Sequence, residues 1–310
     1  MILPMFFGDA NGAKRWVNLG IIKVQTSEIF KLIWIVFLSN FLARHLSNFY
    51  KMSVSIKIFF MLFLFVLLLQ VQHDLGSAVV LAAISIGMMW MSNVNMKIFF
   101  TLLAVAILFG GPFLLFGYRI GRIETFVDLL DGFPQMINDS NRQIYFSFLS
   151  LGQGELYGRG LGESLLKLSY LPERHTDLIA SIWGEETGFV GIGIILLLEG
   201  FMIFKLLFLG MHYFKQNKLF EGNFVFGVGV LFFAQTFINL GSASGLTPAK
   251  GLTLPLLSYG GSSLVMLMCS IAIVLRITYE ERYGLMQDYK ALMRAAKRAE
   301  SRKALKEKAV

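Results

Sequence analysis

The chain has 310 residues, 55% of them hydrophobic, including 30 Phe and 15 Met, with only 15% charged and a mean hydropathy of +0.64. A soluble domain carries roughly a quarter charged residues, so the composition excludes a soluble globular fold and predicts an integral membrane protein. A single cysteine, Cys269, excludes a disulfide framework and reads as a small buried hydrophobe, and four scattered histidines (His45, His73, His175, His212) show no zinc-binding spacing.

The chain opens on Met1 to Phe7, an apolar piece too short to span a bilayer and without the basic start and small-residue cleavage site of a signal peptide. It reads as the tail of a helix whose beginning lies upstream. A bilayer crossing takes about 20 apolar residues, and seven stretches are predicted to span: 28–45, 56–70, 76–93, 97–116, 187–211, 224–246 and 261–278. The fold class is therefore all-α, a polytopic membrane bundle of about seven transmembrane helices. Residues 1–283 form the membrane domain and 284–310 a basic tail. The second and third spans are separated only by Gln70-Val71-Gln72-His73-Asp74, a tight helical hairpin.

Orientation follows Lys and Arg in short loops. Arg44, Lys51 and Lys57, then Lys97, then Lys205, Lys215 and Lys218 alternate with the loops at 71–75, 117–177 and 241–260. With seven spans the basic loops and the tail fall on one side, the cytoplasmic one, which leaves the long loop 117–177 extracytoplasmic. The net charge of +8 concentrates in the C-terminal tail, where anionic lipid headgroups explain it better than nucleic acid does.

Polar chemistry gathers at the extracytoplasmic ends of spans, where it is costly to build and is usually turned toward a substrate. Gln25-Thr26-Ser27-Glu28 comes first. Lys31 lies three residues beyond Glu28, so the two can pair on one helix face, either as a lock on the bundle or as the lining of a polar cavity. Ser27 is a candidate cap of that helix. Gln72-His73-Asp74-Leu75-Gly76-Ser77 follows, with Asp74 placed as an N-cap. The long loop carries Arg119 and Arg122, whose planar guanidinium forks suit a pyrophosphate. It continues through the glycine-rich run 152–162 and closes on Leu171-Pro172-Glu173-Arg174-His175-Thr176-Asp177. Asp177, at the membrane face, fits a partly desolvated general base, with a helix cap as the competing role. In the last loop Gly and Pro break a helix at membrane depth, which is tolerated only inside protein or along a cavity, and Ser258, Ser262 and Ser263 offer hydroxyls there.

In order along the chain, these segments resemble the SEDS family of peptidoglycan glycosyltransferases. They run from Ala13-Lys14-Arg15-Trp16-Val17-Asn18-Leu19-Gly20 through the clusters above to Gly184-Glu185-Glu186-Thr187-Gly188, Asn239 and Lys250-Gly251-Leu252-Thr253-Leu254-Pro255. Ser258-Tyr259-Gly260-Gly261-Ser262-Ser263 and Leu275-Arg276-Ile277-Thr278-Tyr279-Glu280-Glu281-Arg282 complete the set. The match covers about residues 8 to 283 and is closer to the FtsW-like division branch than to the elongation branch. Thr26 and His73 replace prolines usual in the family, and residues 128–141 depart most.

The resemblance implies a ten-span bundle, of which this chain begins at the end of the third span. It implies polymerisation of lipid II, the undecaprenyl-pyrophosphate-linked disaccharide-peptide, in septal wall synthesis at the inner membrane. Asp177 is then the catalytic base and Arg119 and Arg122 neutralise the pyrophosphate. Glu28, Lys31, Lys167, Glu173, His175, Ser258 and Ser262 complete the substrate-binding set. The partners implied are a class B penicillin-binding protein transpeptidase and other division proteins. The resemblance fixes no cofactor; a divalent cation (Mg or Mn) is compatible with the pyrophosphate, and no ligand cluster demands one. The competing function classes are a lipid II flippase or transporter and a non-catalytic scaffold that activates a transpeptidase.

Overall fold

The computed structural model describes residues 16–18, 23–45, 52–72, 74–95, 97, 100, 101, 103, 104, 139–164, 179–244, 246 and 252–284. A short antiparallel hairpin comes first: β1 (Trp16–Asn18) pairs with β2 (Lys23–Gln25), Val17 opposite Val24. It leads directly into α1 (Thr26–His45), which has Glu28 in its first turn and Arg44 and His45 in its last, the arrangement that the helix dipole favours. Next come α2 (Met52–Val71), α3 (Leu75–Met91), α4 (Asp139–Gln153), α5 (Ile179–Lys215), α6 (Leu219–Ala243) and α7 (Gly261–Arg282).

The expected all-α membrane bundle is the architecture observed. By length and composition α1, α5, α6 and α7 can each cross a membrane, and the apolar stretches Ser55–Val71 of α2 and Leu75–Met91 of α3 are shorter. The predicted span at 97–116 lies outside the described residues apart from a few helical positions. The long loop differs from expectation, because α4 occupies 15 of its residues. Its apolar residues Ile144, Phe148 and Leu151 recur at helical spacing, a periodic signal that the reading of this stretch as a loop passed over.

Side-chain contacts fix the register. The Trp34 Nε1–H donates to Ser85 Oγ at 2.8 Å and Ser27 meets Asp74, so α1 and α3 run parallel. Ser92 Oγ donates to Asn223 Oδ1 at 2.8 Å, with Gly87 against Val230 nearer the middle, so α6 runs antiparallel to α3. α5 and α6 form an antiparallel pair in which Gly210 backs onto Phe226 and Gly222 onto Phe214. Small residues at such crossings let helices approach where no hydrophobic force drives them together. α6 is the most enclosed element, with Phe224, Val225, Val228 and Phe232 all fully buried.

Contacts divide the chain into a main body, Met1–Leu267, and a smaller unit, Met268–Val310. In the smaller unit, Arg276 Nε donates to Glu280 Oε1 at 2.7 Å on an exposed face and the Tyr279 and Tyr283 rings meet at 4.6 Å. Cys269 is exposed there, not buried as expected. An apolar run on a spanning helix suits a lipid phase as readily as a protein core, so composition alone does not decide which.

Candidate active site

Two polar clusters are built into the main body, both at the end of the bundle where α1 and α3 begin and α6 finishes. The first centres on Asp74. Its Oδ1 accepts the Ser77 backbone N–H at 3.1 Å, which caps α3 as expected. Its Oδ2 takes two further donors, the Ser27 hydroxyl at 2.9 Å and the Gln25 side-chain amide at 3.3 Å. Ser27 is therefore no cap. It sits inside the first turn of α1 and spends its proton on Asp74, tying the starts of α1 and α3 together. The Gln25 backbone N–H reaches Ser262 Oγ at 3.3 Å, bringing the start of α7 to the same place.

One turn deeper, Lys31 Nζ donates to Glu28 Oε1 at 2.7 Å, with the side chains only 1% and 5% exposed. Two charges removed from water are tolerable only as such a pair, and removing either partner would strand the other at a cost of roughly 3–5 kcal/mol. The spacing of three residues made this pairing legible in sequence.

The second cluster centres on Glu185, which is fully buried. Its Oε2 accepts the Ser150 hydroxyl of α4 at 2.9 Å and the Ser164 hydroxyl at 2.6 Å, and Arg159 Nη1 lies 3.9 Å from its Oε1. Beside it the Ser147 and Ser181 hydroxyls share a hydrogen bond, and Ser147 also donates to the Ala243 carbonyl at 3.0 Å. The glycine-rich run then straps itself across a break in α5. At Gly188 (φ 69°, ψ −166°) the backbone enters a region essentially reserved for glycine, which interrupts the helical ladder. Arg159 and Gly160 donate their N–H groups to the Glu185 and Glu186 carbonyls at 3.0 and 3.1 Å. The Phe189 and Val190 N–H groups give to the Glu155 and Leu156 carbonyls at 2.9 and 3.1 Å. Four groups freed by the break thus find partners in one loop, as buried backbone requires. Gly158, itself at φ 79°, lies so close to the Glu186 carbonyl that no side chain would fit.

Of the residues singled out from sequence, Ser262 joins the Asp74 cluster through Gln25, and Glu28 and Lys31 pair with each other further along α1. Ser258 does a different job: its Oγ accepts the Leu254 N–H at 2.8 Å and fixes the turn at Pro255–Leu257. Ser263 pairs with Thr253 at 2.9 Å. The turn is tied to α6 by Asn239, whose Nδ2 donates to the Leu252 carbonyl at 2.6 Å. Arg119, Arg122, Lys167, Glu173, His175 and Asp177 lie outside the described residues, as does His73. Among the described residues no three His, Cys, Asp or Glu side chains converge to hold a metal ion.

Sequence reasoning missed the roles of Ser150, Ser164 and Glu185, and also Glu199. Glu199 is buried within α5 and takes the Thr236 hydroxyl at 3.4 Å. The usable signal was an acid inside an otherwise apolar run, which in a membrane helix faces protein rather than lipid.

The chain matches the model of the FtsW, RodA and SpoVE group, described as cell cycle protein, over residues 1–283. It is 40% identical over 284 residues to a Haemophilus influenzae protein named probable peptidoglycan glycosyltransferase FtsW, covering 91% of this chain and 71% of that one. A protein of the same name from Haemophilus ducreyi is 41% identical over 282 residues, covering 90% of this chain and 70% of its own length. Among solved structures, a chain from a peptidoglycan synthase complex that coordinates polymerization and crosslinking superposes with a TM-score of 0.70 at 26% identity, covering 91% of this chain and 77% of that one. The rod shape determining protein RodA of Thermus thermophilus gives 0.61 at 26% identity, with 90% and 73% covered. This multi-pass membrane protein belongs to the FtsW/RodA/SpoVE family of cell cycle proteins.

Proposed function

We propose that the protein is a peptidoglycan glycosyltransferase that polymerises lipid II in septal wall synthesis, with Asp177 as general base. The observation that carries this reading is the family match over residues 1–283, joined to relatives named as glycosyltransferases at about 40% identity. The buried polar clusters at one end of the bundle support it, because a membrane protein keeps desolvated carboxylates and an ion pair where a polar substrate group must be handled.

Asp177 precedes α5 by two residues in the sequence. It removes the proton from the acceptor sugar hydroxyl as that oxygen attacks the anomeric carbon of the donor. The new glycosidic bond forms as the bond to the pyrophosphate oxygen breaks, and the undecaprenyl pyrophosphate leaves. Arg119 and Arg122 stabilise the charge growing on the pyrophosphate. Glu28 and Lys31 serve in substrate binding. In this reading the cluster end of the bundle is extracytoplasmic, the C-terminal tail is cytoplasmic, and the glycan passes to a class B penicillin-binding protein for cross-linking. The structural relative from a complex that joins polymerization to crosslinking favours such a partner.

The test is Asp177→Asn in the full-length protein reconstituted with lipid II. Glycan chain formation, read on gels of labelled product, is expected to fall by at least about 100-fold, with membrane insertion unchanged. Wild-type polymer from this variant would exclude Asp177 as the base and favour a flippase or scaffold, either of which tolerates asparagine there.

A further inference from the structure

The glycine-rich strap carries three large apolar side chains on its outer surface: Leu156, Tyr157 and Leu161 are 59, 82 and 74% exposed. Clustered exposure of this kind marks contact with a partner or a membrane, and what adjoins the strap decides between them. The Phe189 and Val190 N–H groups donate to the Glu155 and Leu156 carbonyls, so the strap lies against the point where α5 resumes after its break. From there Val190, Ile194, Leu197, Phe201, Phe204 and Phe208 form one exposed stripe, spaced alternately four and three residues apart. At 1.5 Å per residue that stripe rises about 27 Å, close to the roughly 30 Å hydrocarbon core of a bilayer. The strap therefore sits at the rim of an apolar band of membrane height. Tyrosine is enriched at that depth, because its ring is apolar and its hydroxyl stays wet.

Backbone can lie in that zone only when its polar groups are already spent. In the strap they are largely spent inward. The Gly158 N–H gives to the Gly154 carbonyl at 2.7 Å and the Glu163 N–H to the Gly160 carbonyl at 3.2 Å. The Arg159 and Gly160 N–H groups give to the carbonyls of α5. The Arg159 guanidinium also turns inward, 3.9 Å from the buried Glu185 carboxylate. Glu155 and Glu163, both exposed, leave the strap no positive excess with which to seek anionic headgroups, so its match is apolar. We propose that the strap is an interfacial anchor: Leu156, Tyr157 and Leu161 enter the bilayer at the rim of the α5 stripe, and the partner of this surface is lipid. Lipid then holds the strap from outside as the Glu185 and Glu186 carbonyls hold it from inside.

The experiment places a nitroxide on a single cysteine in the full chain carrying Cys269→Ser, reconstituted in phosphatidylcholine vesicles. Leu161→Cys reports the strap. Ile194→Cys, on the stripe, and Gln216→Cys, in the exposed turn after α5, are the references for lipid and for water. Oxygen concentrates in the apolar phase and a water-soluble nickel chelate stays outside it, so the ratio of their effects on the label's relaxation reads depth. The ratio at 161 is expected between the two references and several-fold above that at 216. Adding Leu156→Ser and Tyr157→Ser should draw it toward the aqueous value, which separates anchoring by the strap from insertion driven by the label. Ile194→Cys in the same serine background should keep its high ratio, so that a change at 161 is loss of the anchor and not of the fold. Three results would overturn the proposal. One is a ratio at 161 equal to that at 216. Another is shielding from both reagents, which would mean that protein, a second copy included, covers the strap. The third is a ratio that the two serines leave unmoved.

Discussion

α5 and α6 are consecutive, both long and both apolar, yet they solve opposite problems. Only 22% of the most apolar stretch of α5 is buried, against 83% in α6. Along α5 the rings of Phe201, Phe204 and Phe208 point outward, each at least 60% exposed. Along α6 the buried positions include Asn223, Gln235, Thr236 and Asn239. Asn223 and Asn239 hold other segments through their side-chain amides. The difference teaches that in a bilayer a greasy surface marks contact with lipid, whereas polarity marks the protein interior. This inverts the usual soluble-protein rule. α6 is the post on which α1, α3, α4 and α5 lean, and α5 is partly cladding.

The strongest way to break this comparison is at the seam between the two helices. A Cβ on Gly210 would lie 2.6 Å from the Phe226 backbone nitrogen, which cannot step aside as a side-chain tip could. Gly210→Val is expected to cost roughly 3 kcal/mol or more, the upper range for overpacking, seen as a large fall in thermal midpoint in detergent or as loss of folded protein. A midpoint near wild type would mean that the helices do not cross there. Next in size is Asn239→Ala. It orphans the Leu252 carbonyl inside the bundle and should cost about 1–3 kcal/mol. Limited proteolysis should then cut first near residues 245–251, because Asn239 is what ties the following turn to α6.

Much of this could be read in the chain itself. Apolar length placed α1, α2, α3, α5, α6 and α7, and the Glu28-to-Lys31 spacing announced an ion pair because i and i+3 share a helix face. Asp74 before Leu75-Gly76-Ser77 announced a cap, although nothing local could say that its second oxygen would gather Ser27 and Gln25 from 47 and 49 residues away. α4 was missed although Ile144, Phe148 and Leu151 recur at helical spacing, because a helix of 15 residues is too short to cross a bilayer and only spans were sought there. The Glu185 cluster was illegible because Ser150 and Ser164 lie 35 and 21 residues before Glu185, and only the folded chain brings their oxygens within 3 Å. The exposure of Cys269 was undecidable from a run that would look the same facing lipid or protein.

The smallest expected effect is the sharpest control. Gly200 lies on the same helix as Gly210 and differs from it only in its surroundings, since a Cβ built there meets nothing within 4 Å. Valine at 200 adds surface that lipid receives as readily as protein would, and it removes some of the backbone entropy that glycine carries into a helix. Gly200→Val should therefore change stability by no more than about 0.5 kcal/mol, with the gain in helix propensity tipping it upward. Thermal midpoints of the two valine variants, measured side by side, then report the face and not the residue type. A Gly200→Val midpoint that fell as far as that of Gly210→Val would mean that the outward face of α5 is packed against protein. The row of Phe201, Phe204 and Phe208 would then be an interface rather than a lipid surface.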